Sequence, residues 1–136
     1  MKRKLVPDVV KSQELILVPE DTSVLTVSKL MAEKNIGAVL VVNHGALVGI
    51  VTERDLNNKV LSREIDPFAT EVSAIMTRDP DTLPPDADAT EALALMHSKH
   101  YRHLPITQGN RAVGIVSIRD LFKLAYEHIK DEVAAA

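Results

Sequence analysis

Two short segments each place a hydroxyl and a carboxylate three residues apart, where a predicted strand gives way to a predicted helix. Ser117 precedes Asp120 in one segment, and Thr52 precedes Asp55 in the other. An ionised carboxylate there can accept hydrogen bonds from both hydroxyls of a vicinal diol, each contributing roughly 1.5–3 kcal/mol when desolvated. The unpaired amides and the positive end of the same helix favour a nearby phosphate. The alternative is that each pair only caps its helix, as such patterns often do.

The two segments are copies of one another. Residues 48–56 return as residues 113–121, 65 positions later, and seven of the nine paired positions are identical. The same offset pairs Pro19 with Pro84, Asp21 with Asp86, Leu30 and Met31 with Leu95 and Met96, and Lys34 with Lys99. A register kept over some forty residues without a gap indicates an internal repeat.

Composition sets bounds on what the repeats can do. The 136 residues allow one core or two small ones that are marginal alone, so we expect the repeats to pack on each other. Aromatic residues make up 3% and the net charge is -3, which argues against nucleic acid and against an anionic membrane as partners. Cysteine is absent, which excludes disulfides, thiolate metal sites and a thiol nucleophile. With no export signal and no membrane-length apolar run, the sequence predicts a cytoplasmic protein.

Each copy has the same predicted order of elements, β-α-β-β-α. In the first copy we predict strands over 15–18, 38–42 and 47–51, a helix capped within 21–23 that ends near Lys34, and a helix from Thr52 through Leu61. In the second copy we predict strands over 81–83, 103–107 and 112–116, a helix over 88–99, and a closing helix from Ser117 to about Lys130. Short amphipathic turns over 6–10 and 72–76 precede the two copies.

With this order in place, the sequence resembles a pair of CBS domains, the Bateman module, over almost its whole length. The resemblance depends on residues 36–42 and 101–106, on the duplicated Gly-Ile-Val-(Thr/Ser)-x-x-Asp-Leu segments, and on residues 72–77. It implies an α/β (α+β) fold in which tandem β-α-β-β-α repeats pack with pseudo-twofold symmetry. We place repeat 1 at 6–61, a linker at 62–71 and repeat 2 at 72–130. The resemblance further implies two clefts that hold adenosine-containing ligands, and a homodimer of modules.

The resemblance assigns ligand-binding roles in the second repeat. Arg102 and His103 point basic side chains at the phosphates of the ligand, and the backbone around Leu104 and Pro105 borders the adenine. Ser117 and Asp120 bind the ribose, and the hydroxyl of Thr82 also touches the ligand. Chemically, the planar guanidinium of Arg102 suits phosphate, and His103 adds charge near neutral pH. A solvated strand-edge charge is the alternative for Arg102.

In the first repeat, the matching positions offer less. Gly37 and Ala38 contribute backbone only, and Leu17 replaces Thr82, although Thr52 and Asp55 keep the ribose half of the pattern. We therefore expect the second cleft to be the main site. Arg54 and Arg119, just before the two aspartates, either reach a phosphate or the partner repeat, or are solvated on the helix surface.

Other chemistries find little support in the sequence. His97, His100 and His103 are spaced by three residues, but His103 falls on a strand and no Asp, Glu or Cys completes a metal set, so we expect no metal site. No nucleophile elbow, paired carboxylates or Gly-rich phosphate loop is present, so we expect no catalytic residues and no enzyme activity.

The sequence thus leads to a regulatory module that senses an adenine nucleotide resembling AMP, ADP or ATP and acts on another, unidentified protein. No cofactor is obligatory, and the nucleotide is a regulatory ligand. The alternative is an interaction or scaffold protein without a ligand, acting through its dimer surface. A third, weaker alternative is a nucleic-acid binder that uses Lys2, Arg3, Lys4 and Arg102.

Overall fold

The computed structural model describes residues 3–11 and 13–135. Lys2, named above among the residues of a possible nucleic-acid binder, lies outside the described residues. The elements in chain order are β1 (Leu17–Pro19), α1 (Val24–Lys34), β2 (Ala38–Asn43), β3 (Ala46–Thr52), α2 (Glu53–Asp55), β4 (Thr77–Arg78), α3 (Ala89–Lys99), β5 (His103–Gln108), β6 (Arg111–Ser117) and α4 (Ile118–Ala135). A π-helix over Leu56–Leu61 continues α2. The mixed α and β fold predicted from the sequence is confirmed.

Helices α1 and α3, the first helix of each repeat, begin and end as predicted. Ser23 caps α1, and Asn35 ends it in the left-handed conformation at φ 53°. Asp88 caps α3, and His100 ends it at φ 61°. A side-chain oxygen at the cap satisfies an amide of the first turn that has no partner within the helix.

The strands form two sheets. The first sheet has the order β1-β2-β3-β4, with β1 parallel to β2 and the other neighbours antiparallel. The second sheet pairs β5 with β6 antiparallel, and both hairpins shift register at the same place in the repeat. The strand predicted over 81–83 is reduced to one parallel bridge between Leu83 and Ile106. Pro84 and Pro85 follow at once, and proline has no amide to donate to a sheet.

The chain folds into two compact units, and their bounds differ from those of the two repeats. The first unit is Ile16–Pro80, and the second unit combines the segment up to Leu15 with the residues from Asp81 onward. The turn at Val72–Ala74, expected to open the second repeat, therefore lies in the first unit and leads into β4, which was not predicted. The turn at Leu5–Val9 lies in the second unit, where the Leu5 amide donates to the Ala87 carbonyl at 2.9 Å.

Each unit has its own apolar core, and the two cores use many of the same repeat positions. That of the first unit contains Val18, Val24, Val27, Met31, Val39, Val41, Val51, Val60, Val72, Ile75 and Met76. That of the second unit contains Leu5, Val10, Ala87, Ala89, Ala92, Met96, Leu104, Ile106, Val116 and Leu121. Aliphatic side chains and methionine fill both, as expected from the scarcity of aromatic residues.

The outer edges of β3 and β6 are covered differently. In the first unit, β4 pairs with β3, and Thr77 is the partner of Ile50. In the second unit, the side-chain amide of Gln13 performs a similar role at the backbone of Ile115. It accepts from the Ile115 amide at 2.8 Å and donates to the Ile115 carbonyl at 3.2 Å. A side-chain amide has one donor group and one acceptor, so it can imitate a peptide group of a neighbouring strand.

Candidate functional site

The junction between β6 and α4 holds the carboxylate singled out in the second repeat. The Ser117 amide donates to Oδ2 of Asp120 at 2.8 Å, and the Asp120 amide donates to the Ser117 hydroxyl oxygen at 3.2 Å. This is a capping box, so the two residues do cap α4. Within residues 3–11 and 13–135, however, Oδ1 of Asp120 has no hydrogen-bond or ion-pair partner, and the Ser117 hydroxyl has no acceptor. Both groups are half-buried and keep hydrogen-bonding capacity for a ligand.

The start of β5 lies beside this junction. His103 is paired with Ser117 in the antiparallel ladder, and the Ile118 amide donates to the Arg102 carbonyl at 2.8 Å. The Arg102 side chain is exposed, and His103 is half-buried. The backbone pairing therefore places the two basic residues at the same end of the sheet as Ser117 and Asp120.

The remaining predicted residues of the second repeat surround the same strand. Leu104 and Pro105 are buried within β5, and Leu104 as a whole residue is 0% exposed. Thr82 is exposed and precedes Leu83, whose amide donates to the Pro105 carbonyl at 3.2 Å. Arg119 is exposed on the first turn of α4.

A hydrogen bond that the sequence did not predict joins two of these segments. The Tyr101 hydroxyl donates to Oδ2 of Asp81 at 3.0 Å. Burial, followed by this hydrogen bond and the negative charge of Asp81, raises the pKa of Tyr101 to about 12. The contact ties the residue before Thr82 to the residue before Arg102. The two partners are 20 positions apart, and no local pattern marks such a pair.

The first repeat has the same backbone arrangement at its own junction, between β3 and α2. Ala38 is paired with Thr52, and the Glu53 amide donates to the Gly37 carbonyl at 3.1 Å. The Thr52 amide donates to Oδ2 of Asp55 at 2.9 Å, and the Asp55 amide donates to the Thr52 hydroxyl oxygen at 3.3 Å. The duplicated segments therefore fold alike, as their sequences predicted.

The two aspartates differ in burial and in their further partners. Asp55 is 8% exposed and its Oδ1 lies 3.0 Å from Nζ of Lys59. The Thr52 hydroxyl also donates to Oδ2 of Asp55 at 3.2 Å. Both oxygens of Asp55 are thus engaged within the first unit. Arg54, beside it, is exposed on the helix surface.

The described residues offer no metal site and no membrane span. Among residues 3–11 and 13–135, no three His, Cys, Asp or Glu side chains are grouped so as to hold a metal ion. None of the helices in those ranges has the length and apolarity needed to cross a bilayer.

Two units with matching hairpins and matching capped junctions define a tandem-repeat protein, and the comparisons identify the repeat. The CBS domain family matches residues 6–62 and 72–127. A CBS domain-containing protein of Arabidopsis thaliana is 33% identical over 122 residues, which are 89% of this chain and 21% of that protein. The chain belongs to the CBS-domain family and carries two CBS domains.

Solved structures agree with this identification. A protein with CBS domains from Burkholderia ambifaria has 38% sequence identity and a TM-score of 0.81, covering 86% of this chain and 90% of that one. The hexameric CBS-CP12 protein from bloom-forming cyanobacteria has 28% identity and a TM-score of 0.83, covering 100% of this chain and 84% of that one. CBS-domain proteins are generally regulatory, and none of these three is named as an enzyme.

Proposed function

We propose that this chain is a non-enzymatic regulatory module that binds an adenosine-containing nucleotide through its second repeat. Asp120 and Ser117 bind the two ribose hydroxyls, and Arg102 and His103 bind phosphate. The observation that carries the proposal is the half-buried Asp120, whose Oδ1 has no partner among the described residues although basic side chains share its end of the sheet. A carboxylate in that setting gains from two neutral donors more than an exposed one would.

Regulation requires that the nucleotide favours one arrangement of the protein over another. A ligand that binds two arrangements equally shifts neither, so the signal equals the difference between the two affinities. By favouring one arrangement of this chain, the bound nucleotide would change the activity of a regulated target, which is another domain or another polypeptide. A cytoplasmic location stays a prediction.

Isothermal titration calorimetry with AMP, ADP and ATP tests the ribose assignment. Replacing Asp120 with alanine removes the acceptor of the ribose hydroxyls, and we expect the affinity to fall about thirtyfold, or about 2 kcal/mol. Asp131→Ala is the matched control, because it removes an exposed carboxylate from the same helix. Since Asp120 also caps α4, circular dichroism must confirm that the variant is folded at the temperature of titration. Equal affinity in Asp120→Ala and the wild type would refute the assignment.

A thermal-shift panel distinguishes ligand binding from a purely structural role. AMP, ADP, ATP, NADH and S-adenosylmethionine are each added in excess, and a ligand at 100 times its dissociation constant should add about 2.7 kcal/mol of stability. No shift with any member of the panel would favour the scaffold alternative over nucleotide sensing.

One observation favours an interaction surface as a second function. On α4 the apolar side chains Phe122, Tyr126, Ile129 and Val133 are 59% to 71% exposed. Their spacing of four, three and four residues puts them on one face of the helix, and exposed apolar faces of this kind mark interfaces. A solved CBS-domain neighbour is a hexamer. We propose that a second copy of this chain, in a homodimer, covers this face.

Light scattering after size-exclusion chromatography tests the homodimer. Tyr126→Lys places a charge within the apolar face and should yield a monomer. Glu127→Lys is the matched control, because it changes the charge more at the adjoining position on the same helix. A monomeric wild type, or a Tyr126→Lys variant that elutes with the mass of the wild type, would contradict the proposal.

A further inference from the structure

The two copies of the capped junction differ in one internal cation. Nζ of Lys59 lies 3.0 Å from Oδ1 of Asp55 and donates to the Ile75 carbonyl, also at 3.0 Å. The other oxygen of Asp55 accepts from the amide and the hydroxyl of Thr52, at 2.9 and 3.2 Å. Every oxygen of this buried carboxylate therefore already has a partner within the first unit.

The second copy lacks this cation. Lys59 lies four residues after Asp55, and the residue four positions after Asp120 is Leu124. Leu124 packs against the core of the second unit and brings no charge to the carboxylate. The difference is chemical as well as geometric, because among residues 3–11 and 13–135 Asp55 has an ion-pair partner in Lys59, whereas Asp120 has none.

The position of Lys59 is fixed at two points. Its ammonium group bridges the carboxylate of Asp55, the last residue of α2, and the Ile75 carbonyl in the segment that leads into β4. The lysine side chain is 34% exposed and the aspartate side chain 10% exposed, so the pair is partly withdrawn from water. Separating partners of this kind leaves an uncompensated buried charge, which is strongly unfavourable.

We propose that Lys59 occupies the carboxylate of the first repeat in place of a ligand, so that the chain binds one nucleotide, through Asp120. This inference rests on the proposed function for its ligand, and it adds a specificity-determining residue and a stoichiometry. A ribose in the first repeat would have to displace both the ammonium group and the Thr52 hydroxyl from Asp55. In the second repeat it meets Oδ1 of Asp120, which has no partner within the described ranges.

Calorimetric titrations with AMP and with ATP test the stoichiometry. We expect one site per chain in the wild type. In Lys59→Leu, which installs the residue of the second repeat, we expect a second and weaker site. That site should disappear again in the Lys59→Leu, Asp55→Asn double variant. Two sites in the wild type, or an unaltered single site in a folded Lys59→Leu variant, would overturn the inference.

A ligand-free measurement separates this inference from the proposed function. Urea unfolding of Asp55→Asn, Lys59→Met and the double variant forms a double-mutant cycle. We expect each single variant to be destabilised and the double variant to lose much less than the sum. If the losses in the free energy of unfolding simply add, the ion pair between Lys59 and Asp55 is contradicted, whether or not a nucleotide binds. Absence of binding in every variant, together with a coupled cycle, would instead refute the proposed function and leave the pairing of Lys59 with Asp55 in place.

Discussion

Gly49 and Gly114 occupy the same position in the two repeats, yet alanine should affect them differently. A Cβ at Gly49 would overlap the sulfur of Met76 and would lie 2.9 Å from Cγ of Met76 and 3.1 Å from the Thr77 carbonyl oxygen. Met76 is buried and the carbonyl belongs to β4, so a shift of either disturbs the core or the strand pairing. Overpacking of this kind costs about 1–3 kcal/mol, and the reduced freedom of the unfolded chain offsets about 0.4–1 kcal/mol. We expect Gly49→Ala to be destabilised by about 1–2 kcal/mol.

At Gly114, a Cβ would meet Oε1 of Gln13 at 3.1 Å and Cδ1 of Ile106 at 3.3 Å. Gln13 is exposed and can swing into solvent. The loss of its hydrogen bonds costs about 1 kcal/mol, which the same unfolded-state effect nearly cancels. Gly114→Ala is therefore the matched control, with a net change below about 0.5 kcal/mol.

Urea unfolding followed by circular dichroism measures both variants. Met76→Ala in the Gly49→Ala background removes the overlapping side chain, so the double variant should lose less stability than the sum of the two single losses. If Gly49→Ala proves as stable as Gly114→Ala, or if the effects of Gly49→Ala and Met76→Ala simply add, the packing argument fails.

Four further outcomes follow from the structure. Tyr101 should titrate near pH 12 by absorbance in a Tyr126→Phe background, and at a lower pH once Asp81 is replaced by asparagine; an unmoved midpoint would exclude the contact. Because the folded-state pKa of Tyr101 is raised, its contribution to stability is complete below pH 10 and is lost as the pH rises through about 12, which urea unfolding across that range would detect. Leu104→Ala should cost about 2–5 kcal/mol in urea unfolding, since its side chain is fully buried, and a loss below 1 kcal/mol would place it outside the core. Ser23→Ala should cost about 1 kcal/mol through the lost helix cap, whereas Ser23→Gly should cost only a few tenths; equal losses would rule out the cap.

The local structure of each repeat could be predicted because its signals are local. Side chains that cap a helix and residues that end it lie within one turn of the element they bound, as at Ser23 and Asp88. The duplicated junctions at Thr52 and Ser117 could be predicted for the same reason, and each forms its reciprocal hydrogen bonds.

The partners of the two apolar turns could not be predicted, because both turns have the same pattern. Val72 and Leu5 are each fully buried, but nothing near either residue indicates which repeat receives it. For the same reason, the sequence could not predict that a Cβ at Gly49 would meet Met76, whereas a Cβ at Gly114 would meet Gln13.

The sequence favoured the second repeat as the binding site, and the ligand-binding roles of its residues stay predictions, but the sequence did not predict that Lys59 pairs with Asp55 in the first repeat. The hydroxyl and carboxylate pairs were visible in the sequence, and so was the contrast between Arg102 and Gly37. The role of Lys59 was not, because a lysine four residues after an aspartate is ordinary on a helix surface. Only the burial of Asp55 and the contact with the Ile75 carbonyl distinguish this lysine from a solvated one.

Each apolar turn packs in the core formed mainly by the other repeat, so cutting the chain between the repeats separates both turns from their packing partners. Proteolysis anywhere between residues 62 and 71 would leave the downstream fragment holding Val72, Ile75 and Met76, whose packing partners stay behind with the upstream fragment. The upstream fragment would keep Leu5 and Val10, which complete the interior of the other piece. Neither repeat is therefore a self-sufficient folding unit, because each apolar core needs residues from both repeats.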